Sequence, residues 1–153
     1  MIRTLAVVFA LVIPLWFFGQ ASPSDKKRIR PVDPTETYQA FSASTGGPKA
    51  STPTGWTPNV QAYEGEIARV GYVRGEHYME WQGATGTTWL FEATGKGKQV
   101  GTVEVSGSEW QKWEDGSAHT SLVRSYGKAT VLIGGIRENA SLDELESLAA
   151  TVG

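Results

Sequence analysis

The chain of 153 residues carries 14 Lys and Arg against 16 Asp and Glu, contains no Cys and is 40% hydrophobic. This length and composition describe one globular domain, and the missing Cys excludes disulfides, thiolate metal sites, a cysteine nucleophile and a lipid-modified cysteine anchor. The slightly acidic balance argues against nucleic-acid binding, because neutralising phosphates requires an excess of Lys and Arg.

The N-terminus carries the most specific signal, an apolar stretch that predicts a transmembrane or signal segment over residues 1–21. Fourteen consecutive residues, Leu5 to Phe18, have neither a charged nor a polar side chain. A helix over residues 2–19 would span roughly 27 Å, close to the hydrocarbon thickness of a bilayer. Two interpretations stay open: an uncleaved anchor, or a signal peptide that is cleaved at the small residues of Gly19-Gln20-Ala21.

Residues 22–34 form a Pro-rich basic linker with four clustered cations, Lys26, Lys27, Arg28 and Arg30. This cluster favours a solvated spacer, and the alternative is contact with anionic lipid headgroups beside an anchor. Strict positive-inside counting would place the following domain in the cytoplasm. We nevertheless expect the domain to lie outside the cytoplasmic membrane, because the N-terminal segment resembles a signal peptide.

Residues 35–153 are predicted to form an extracytoplasmic α+β domain. From residue 31 onward the chain carries nine basic and fifteen acidic residues, a formal net charge of −6. The first element is a helix that begins after Asp33-Pro34, which combine a capping side chain with a proline suited to the first turn. It is expected to end before Gly46-Gly47, with Tyr38 and Phe41 on one face.

Short segments separated by tight turns then predict an antiparallel sheet of six to seven strands covered by helices, since the turns leave no room for helical crossovers. The strand segments are 59–63, 68–73, 77–82, 99–105, 109–113, 120–126 and 129–133. Between the third and fourth, Thr87–Thr94 fits either a strand or a short helix after a Thr cap, and the helix is favoured. Trp110 and Trp113 are an odd number of positions apart on one strand, so they are predicted to face opposite sides of the sheet.

The closing element is a helix with a capping box at Ser141 and Glu144. Its apolar residues recur at helical spacing and predict a stripe that packs on the sheet. The stripe consists of Leu142, Leu145, Leu148, Ala149 and Val152.

The sequence assigns no catalytic, cofactor-binding or metal-ligating residue, and it implies no cofactor. His77 and His119 are its two histidines. On a strand, His77 and Glu80 face opposite sides, so a metal site would need partners from elsewhere in the chain. No nucleophile elbow, P-loop or dinucleotide fingerprint is present.

Four loop motifs favour structural roles. Gly95-Lys96-Gly97-Lys98 is interpreted as a flexible turn rather than a phosphate site. The acidic tips Glu64-Gly65-Glu66 and Glu114-Asp115-Gly116 are interpreted as solvated turns, since neither has the ligand spacing of a calcium loop. Asn139-Ala140-Ser141 matches a glycosylation sequon, although Ser141 is already assigned as a helix cap.

Aromatic residues are abundant in the domain, which holds five Trp, five Tyr and two Phe. Such rings favour core packing in a small α+β domain, and they are also the side chains that line ligand clefts. Both interpretations are kept.

These features in order carry a family resemblance. The apolar segment leads through Arg30-Pro31-Val32 to a Gly55-Trp56 pair, followed by Trp110 with Asp115-Gly116 and by Leu122-Val123-Arg124 with Gly127. Val131 with Gly134 and the helix of residues 142–149 close the series. The chain resembles, over nearly its whole length, the actinobacterial membrane-anchored family labelled domain of unknown function 4245. The resemblance implies a single-pass protein with its domain outside the cytoplasmic membrane, and it supplies no catalytic residue.

The first functional hypothesis is therefore a non-catalytic binding or interaction domain of the cell envelope. Its expected partners are the cytoplasmic membrane, through the N-terminal segment, and an unknown envelope protein or ligand. The alternative is a secreted carrier of a small hydrophobic ligand after signal-peptide cleavage. A third hypothesis, an envelope hydrolase, requires His77 or His119 beside carboxylates in a pocket.

Overall fold

A seven-stranded antiparallel sheet organises this chain in a computed structural model that describes residues 30–136 and 138–153. In chain order the strands are β1 (Thr57–Glu64), β2 (Ile67–Arg74), β3 (His77–Thr85), β4 (Lys98–Val105), β5 (Ser108–Glu114), β6 (Thr120–Tyr126) and β7 (Ala129–Gly134). Their order across the sheet is β1-β2-β3-β7-β6-β5-β4. Two meanders thus join where β3 pairs with β7, and the predicted antiparallel α+β fold is confirmed.

Among the described residues, three helices complete the fold: α1 (Thr35–Thr45), α2 (Leu90–Ala93) and α3 (Leu142–Ala149). The predicted short helix after β3 is therefore confirmed as one turn. The predicted N-terminal segment, residues 1–21, lies outside the described residues. Within the described ranges, no helix is long and apolar enough to cross a membrane.

Local chemistry sets the two ends of α1. Asp33 Oδ1 accepts hydrogen bonds from the backbone N–H and the hydroxyl of Thr35, at 3.0 and 2.6 Å. These bonds hold the pKa of Asp33 below its usual range. At the other end Gly46 adopts a φ of 71° and donates its N–H to Ser42 O, which is the conformation that favours glycine after a helix. The predicted positions of both ends are confirmed, whereas the residue at the N-cap is Pro34 rather than Asp33, and this cap makes no side-chain hydrogen bond.

The main core lies between one face of the sheet and the two longer helices, α1 and α3. Trp81 is fully buried there, with its ring 4.8 Å from that of Tyr38 and 5.0 Å from that of Phe41, both edge-on. The other large rings buried in this core are Trp56, Tyr72 and Trp110. Most of the aromatic residues counted in the sequence therefore serve core packing.

A smaller apolar cluster lies on the opposite face of the sheet. Leu90 of α2 packs there with Val123 and Leu132, and Trp113 joins from β5. Because Trp110 belongs to the main core and Trp113 to this cluster, the predicted parity of the two residues is confirmed. One helical turn covers only part of this face, and the candidate site lies beside it.

We expect Ser141→Ala to lower the free energy of unfolding by about 1 kcal/mol, because it removes the cap of α3. The Ser141 hydroxyl accepts from the Glu144 N–H, and the Glu144 side chain accepts from the Ser141 N–H. Urea unfolding at pH 7 measures the loss. Ser141→Thr, which keeps a hydroxyl, is the matched control and is expected to recover most of the stability. Equal losses in both variants would contradict the capping explanation.

Candidate functional site

A cleft of about 440 Å³ opens on the face of the sheet that carries α2. Its apolar wall consists of Ile67, Trp89, Ala93 and Ile136. Its polar lining consists of Arg69, Glu80, Gln82 and Glu92. Strands β2 and β3, the turn of α2 and the loop after β7 therefore meet at this one place.

Strand alternation puts the polar floor on this face. Val70 and Trp81 pair across β2 and β3 and are fully buried in the main core, so their neighbours along each strand point to the opposite side. Arg69 pairs with Gln82, and Glu80 lies next to Gln82 on the same face of β3. Tyr78, two residues before Glu80 on β3, lies on this face as well.

The floor of the cleft is a charged network centred on Glu80, which is 3% exposed. Its Oε1 accepts from Arg69 Nη2 at 2.7 Å and from the Tyr78 hydroxyl at 2.6 Å, and its Oε2 accepts from Gln82 Nε2 at 3.0 Å. A buried carboxylate is stable only with such partners. The network therefore fixes polar side chains at the floor of the cleft.

Glycine at position 71 makes room for this network. A β-carbon on Gly71 would lie 2.5 Å from the Tyr78 hydroxyl oxygen and 3.0 Å from ring carbons of Tyr78. Any side chain there would displace the ring that donates to Glu80. The residue opposite Glu80 in the register is therefore small for a steric reason.

The walls of the cleft are apolar and partly open. Trp89 donates its indole N–H to Gly86 O at 3.0 Å, so the indole offers the cleft only ring surface. Ile136 is 50% exposed at the rim, and Phe91 on α2 is 53% exposed. Exposed large apolar side chains beside a concave site are typical of binding surfaces.

His119 lies beside Asp115, in the turn between β5 and β6. His119 Nδ1 is 2.8 Å from Asp115 Oδ2, while Asp115 Oδ1 accepts from the N–H groups of Ser117 and His119. The hydrogen bond from the His119 side chain holds the pKa of Asp115 below its usual range. Burial raises the pKa of nearby Glu138, which accepts from the Thr120 N–H.

His77 lies beside Glu144, where the start of β3 meets α3. His77 Nδ1 is 2.8 Å from Glu144 Oε1, and Arg74 Nη2 donates to Glu144 Oε2 at 2.6 Å. The Arg74 guanidinium also stacks 4.8 Å from the ring centre of Trp56. These contacts tie the capped end of α3 to the turn between β2 and β3.

The hydrolase hypothesis required a histidine beside a carboxylate in a pocket. Both His77 and His119 pair with a carboxylate, but neither lines the cleft described above. Among the described residues, no hydrogen bond joins a Ser or Thr hydroxyl to either imidazole. No group of three or more His, Asp or Glu residues is arranged to hold a metal ion in the described ranges.

Comparison with known proteins places the chain in a family. The family described as "Protein of unknown function (DUF4245)" matches residues 1–152. The chain belongs to this family. The resemblance that the sequence motifs indicated is therefore confirmed over nearly the whole chain. The chain matches no curated protein and no solved structure at a significant level.

The glycine-rich segment after α2 uses its backbone donors internally. Gly95 N–H bonds to Glu92 O, Lys96 N–H to Phe91 O, and Gly97 N–H to the Thr94 hydroxyl. These bonds end α2 and leave no cradle of N–H groups for a phosphate. The interpretation as a turn is correct, and the bonds show that the turn is ordered.

Two further loop motifs, the second acidic turn and the sequon, also make structural contacts. Asp115, at the tip of the second acidic turn, uses both carboxylate oxygens within that turn. Asn139 of the sequon accepts from the Tyr78 N–H at 2.6 Å and donates to Glu76 O at 2.8 Å. Ser141 caps α3 as predicted.

Sequence reasoning missed the cleft as a site. Arg69 and Glu80 are eleven positions apart, and Trp89 and Ile136 come from two further segments. The sequence signal that could have indicated the cleft was the run of polar residues at alternate positions of β3, next to β2, which carries Arg69. That signal shows a polar sheet face, but it gives no information on which loops surround it.

Proposed function

We propose that this protein is a non-catalytic binding domain, held at the outer face of the cytoplasmic membrane by its N-terminal segment. The observation that carries the binding role is the cleft beside α2, with its apolar walls and hydrogen-bonded charged floor. A volume of about 440 Å³ falls within the range of small-ligand sites. The contact made there, with an envelope protein or a small ligand, is the proposed activity.

The anchoring part of the proposal rests on the sequence. Leu5–Phe18 is long enough, with its flanking residues, to span a bilayer. The family resemblance implies a single pass, an extracytoplasmic domain and an actinobacterial source. The basic linker that follows is suited to anionic headgroups next to the bilayer.

Mass spectrometry of the protein purified from its native membrane tests the anchor. We expect an intact N-terminal segment and recovery of the protein in the membrane fraction. External biotinylation of intact cells should label Lys residues of the domain. A mature chain that begins near Ser22, or a domain protected from the reagent, would contradict the proposed topology.

The size of the cleft also favours the alternative, a secreted carrier of a small ligand. Its charged floor makes a purely hydrophobic cargo a poor match, because the ligand would cover Arg69, Glu80 and Gln82 without bonding to them. The alternative therefore requires an amphipathic cargo. Its distinguishing observation is a chain cleaved near Ser22 that leaves the membrane with ligand bound.

In living cells, we expect a photo-crosslinking residue at Ile136 to give a discrete adduct. Ile136 is half exposed at the rim of the cleft, so its substitution is expected to leave the fold intact. The matched control is the same residue at Val100, which is 49% exposed on β4 and does not line the cleft. Identical adducts at both positions, or none at Ile136, would contradict binding through the cleft.

A further inference from the structure

We infer that the cleft selects organic cations: ligands that carry an ammonium or guanidinium group on an apolar body. This inference rests on the proposed binding function and assigns it a ligand class. It follows from the charges and the aromatic surface of the residues that line the cleft.

The floor contributes no free positive charge. Arg69 is 2.7 Å from Glu80, and the side chain of Glu80 is 5% exposed, so this ion pair is close to neutral overall. The Arg69 side chain is 22% exposed and bonded downward to the floor. An anionic ligand would have to compete with Glu80 for it, and displacing a buried carboxylate is costly.

The rim adds negative charge. Glu92 on α2 is an exposed member of the lining, so the described lining residues carry one cation and two carboxylates. Asp115 is also near the rim, because the point where Gly95 would carry a β-carbon is 2.6 Å from Ile136 Cγ2 and 2.9 Å from Asp115 Oδ2. Its carboxylate is already hydrogen-bonded to His119 and to two backbone N–H groups, so it is not counted as a free charge. Arg137 follows Ile136 in the sequence, lies outside the described residues and is not counted.

The wall adds aromatic surface suited to a cation. The Trp89 indole N–H is already bonded to Gly86 O, so an approaching ligand meets the ring rather than a donor. Aromatic rings attract ammonium and guanidinium groups through their quadrupole, most strongly at partly desolvated sites. A carboxylate with an aromatic ring and an apolar wall is a combination that recognises organic cations.

Three ligands with one skeleton test the inference: 4-phenylbutylamine, 4-phenylbutanol and 4-phenylbutyrate. The full-length chain in lipid nanodiscs is titrated with each ligand by saturation-transfer NMR, and empty nanodiscs are subtracted. We expect the amine to bind about tenfold more tightly than the acid, with the alcohol between them. Higher salt should narrow this ratio.

Glu92→Gln should reduce the amine-to-acid ratio to about threefold or less. Glu146→Gln is the matched control, because it removes the same charge from α3 on the opposite face of the sheet and should leave the ratio unchanged. A ratio of one, a preference for the acid, or equal effects of the two variants would overturn the inference while leaving binding at the cleft intact. Failure of all three ligands to bind would overturn binding at the cleft as well.

A further titration distinguishes two sources of the cation, a basic side chain of a protein partner and a small-molecule amine. The blocked dipeptide acetyl-Phe-Lys-amide carries the same chemistry on a peptide backbone. Tighter binding of the dipeptide than of 4-phenylbutylamine would support a basic side chain of a protein partner as the ligand. Binding of the free amine alone would support a small-molecule amine.

Discussion

Trp81→Ala is expected to lower the free energy of unfolding by about 3–5 kcal/mol, the range for truncating a large buried aromatic residue. Trp81 lies on β3 and is fully buried in the main core, where it packs against α1. Its edge-on contacts with Tyr38 and Phe41 would be lost together with its buried area. Urea unfolding monitored by far-ultraviolet circular dichroism measures the loss.

Two control variants separate this effect from a general sensitivity to aromatic truncation. Phe91→Ala removes a ring that is 53% exposed and should change stability by less than about 0.5 kcal/mol. Trp81→Phe keeps part of the ring volume and removes an indole N–H that has no hydrogen-bond partner among the described residues, so it should cost less than Trp81→Ala. Similar losses for Phe91→Ala and Trp81→Ala would contradict the assignment of the core.

The sequence predicted those features of the fold that local periodicity encodes. All seven strand segments were predicted, because turns and alternating apolar residues mark them directly. The short helix was the favoured one of two interpretations of an apolar segment. The opposite faces of Trp110 and Trp113 followed from parity alone. The capping box of α3 was predictable because its two members are three residues apart.

The long-range contacts of the fold, including those that form the cleft, were not predictable in this way, because they join distant segments. Glu144 reaches His77 across 67 positions and Arg74 across 70 positions. The meeting of β3 with β7 places Ile136 near residues of β2 and β3, and no local pattern specifies which strands become neighbours. Sequence periodicity indicates that a face is polar, whereas the pairing of strands decides what surrounds it.

Glu144→Gln is expected to destabilise the protein by about 2 kcal/mol at pH 7, because it weakens charge-assisted hydrogen bonds at the capped end of α3. Burial alone would raise the pKa of Glu144. The hydrogen bonds from the Ser141 backbone, His77 and the Ser141 side chain outweigh it and lower the pKa from 4.5 to about 2. The side chain of Glu144 is 9% exposed, so water replaces little of what is lost.

The lowered pKa of Glu144 predicts that its contribution to stability is lost at low pH. A carboxyl whose pKa is lower in the folded state contributes stability above its unfolded pKa of 4.5, and this contribution is lost as the pH falls towards about 2. The difference in unfolding free energy between wild type and Glu144→Gln should therefore shrink as the pH falls from 4.5 towards 2. His77→Ala and Arg74→Ala each remove one partner of Glu144, and each should cause only part of the destabilisation caused by Glu144→Gln. A difference that stays constant down to pH 2 would show that Glu144 acts through its shape rather than its charge.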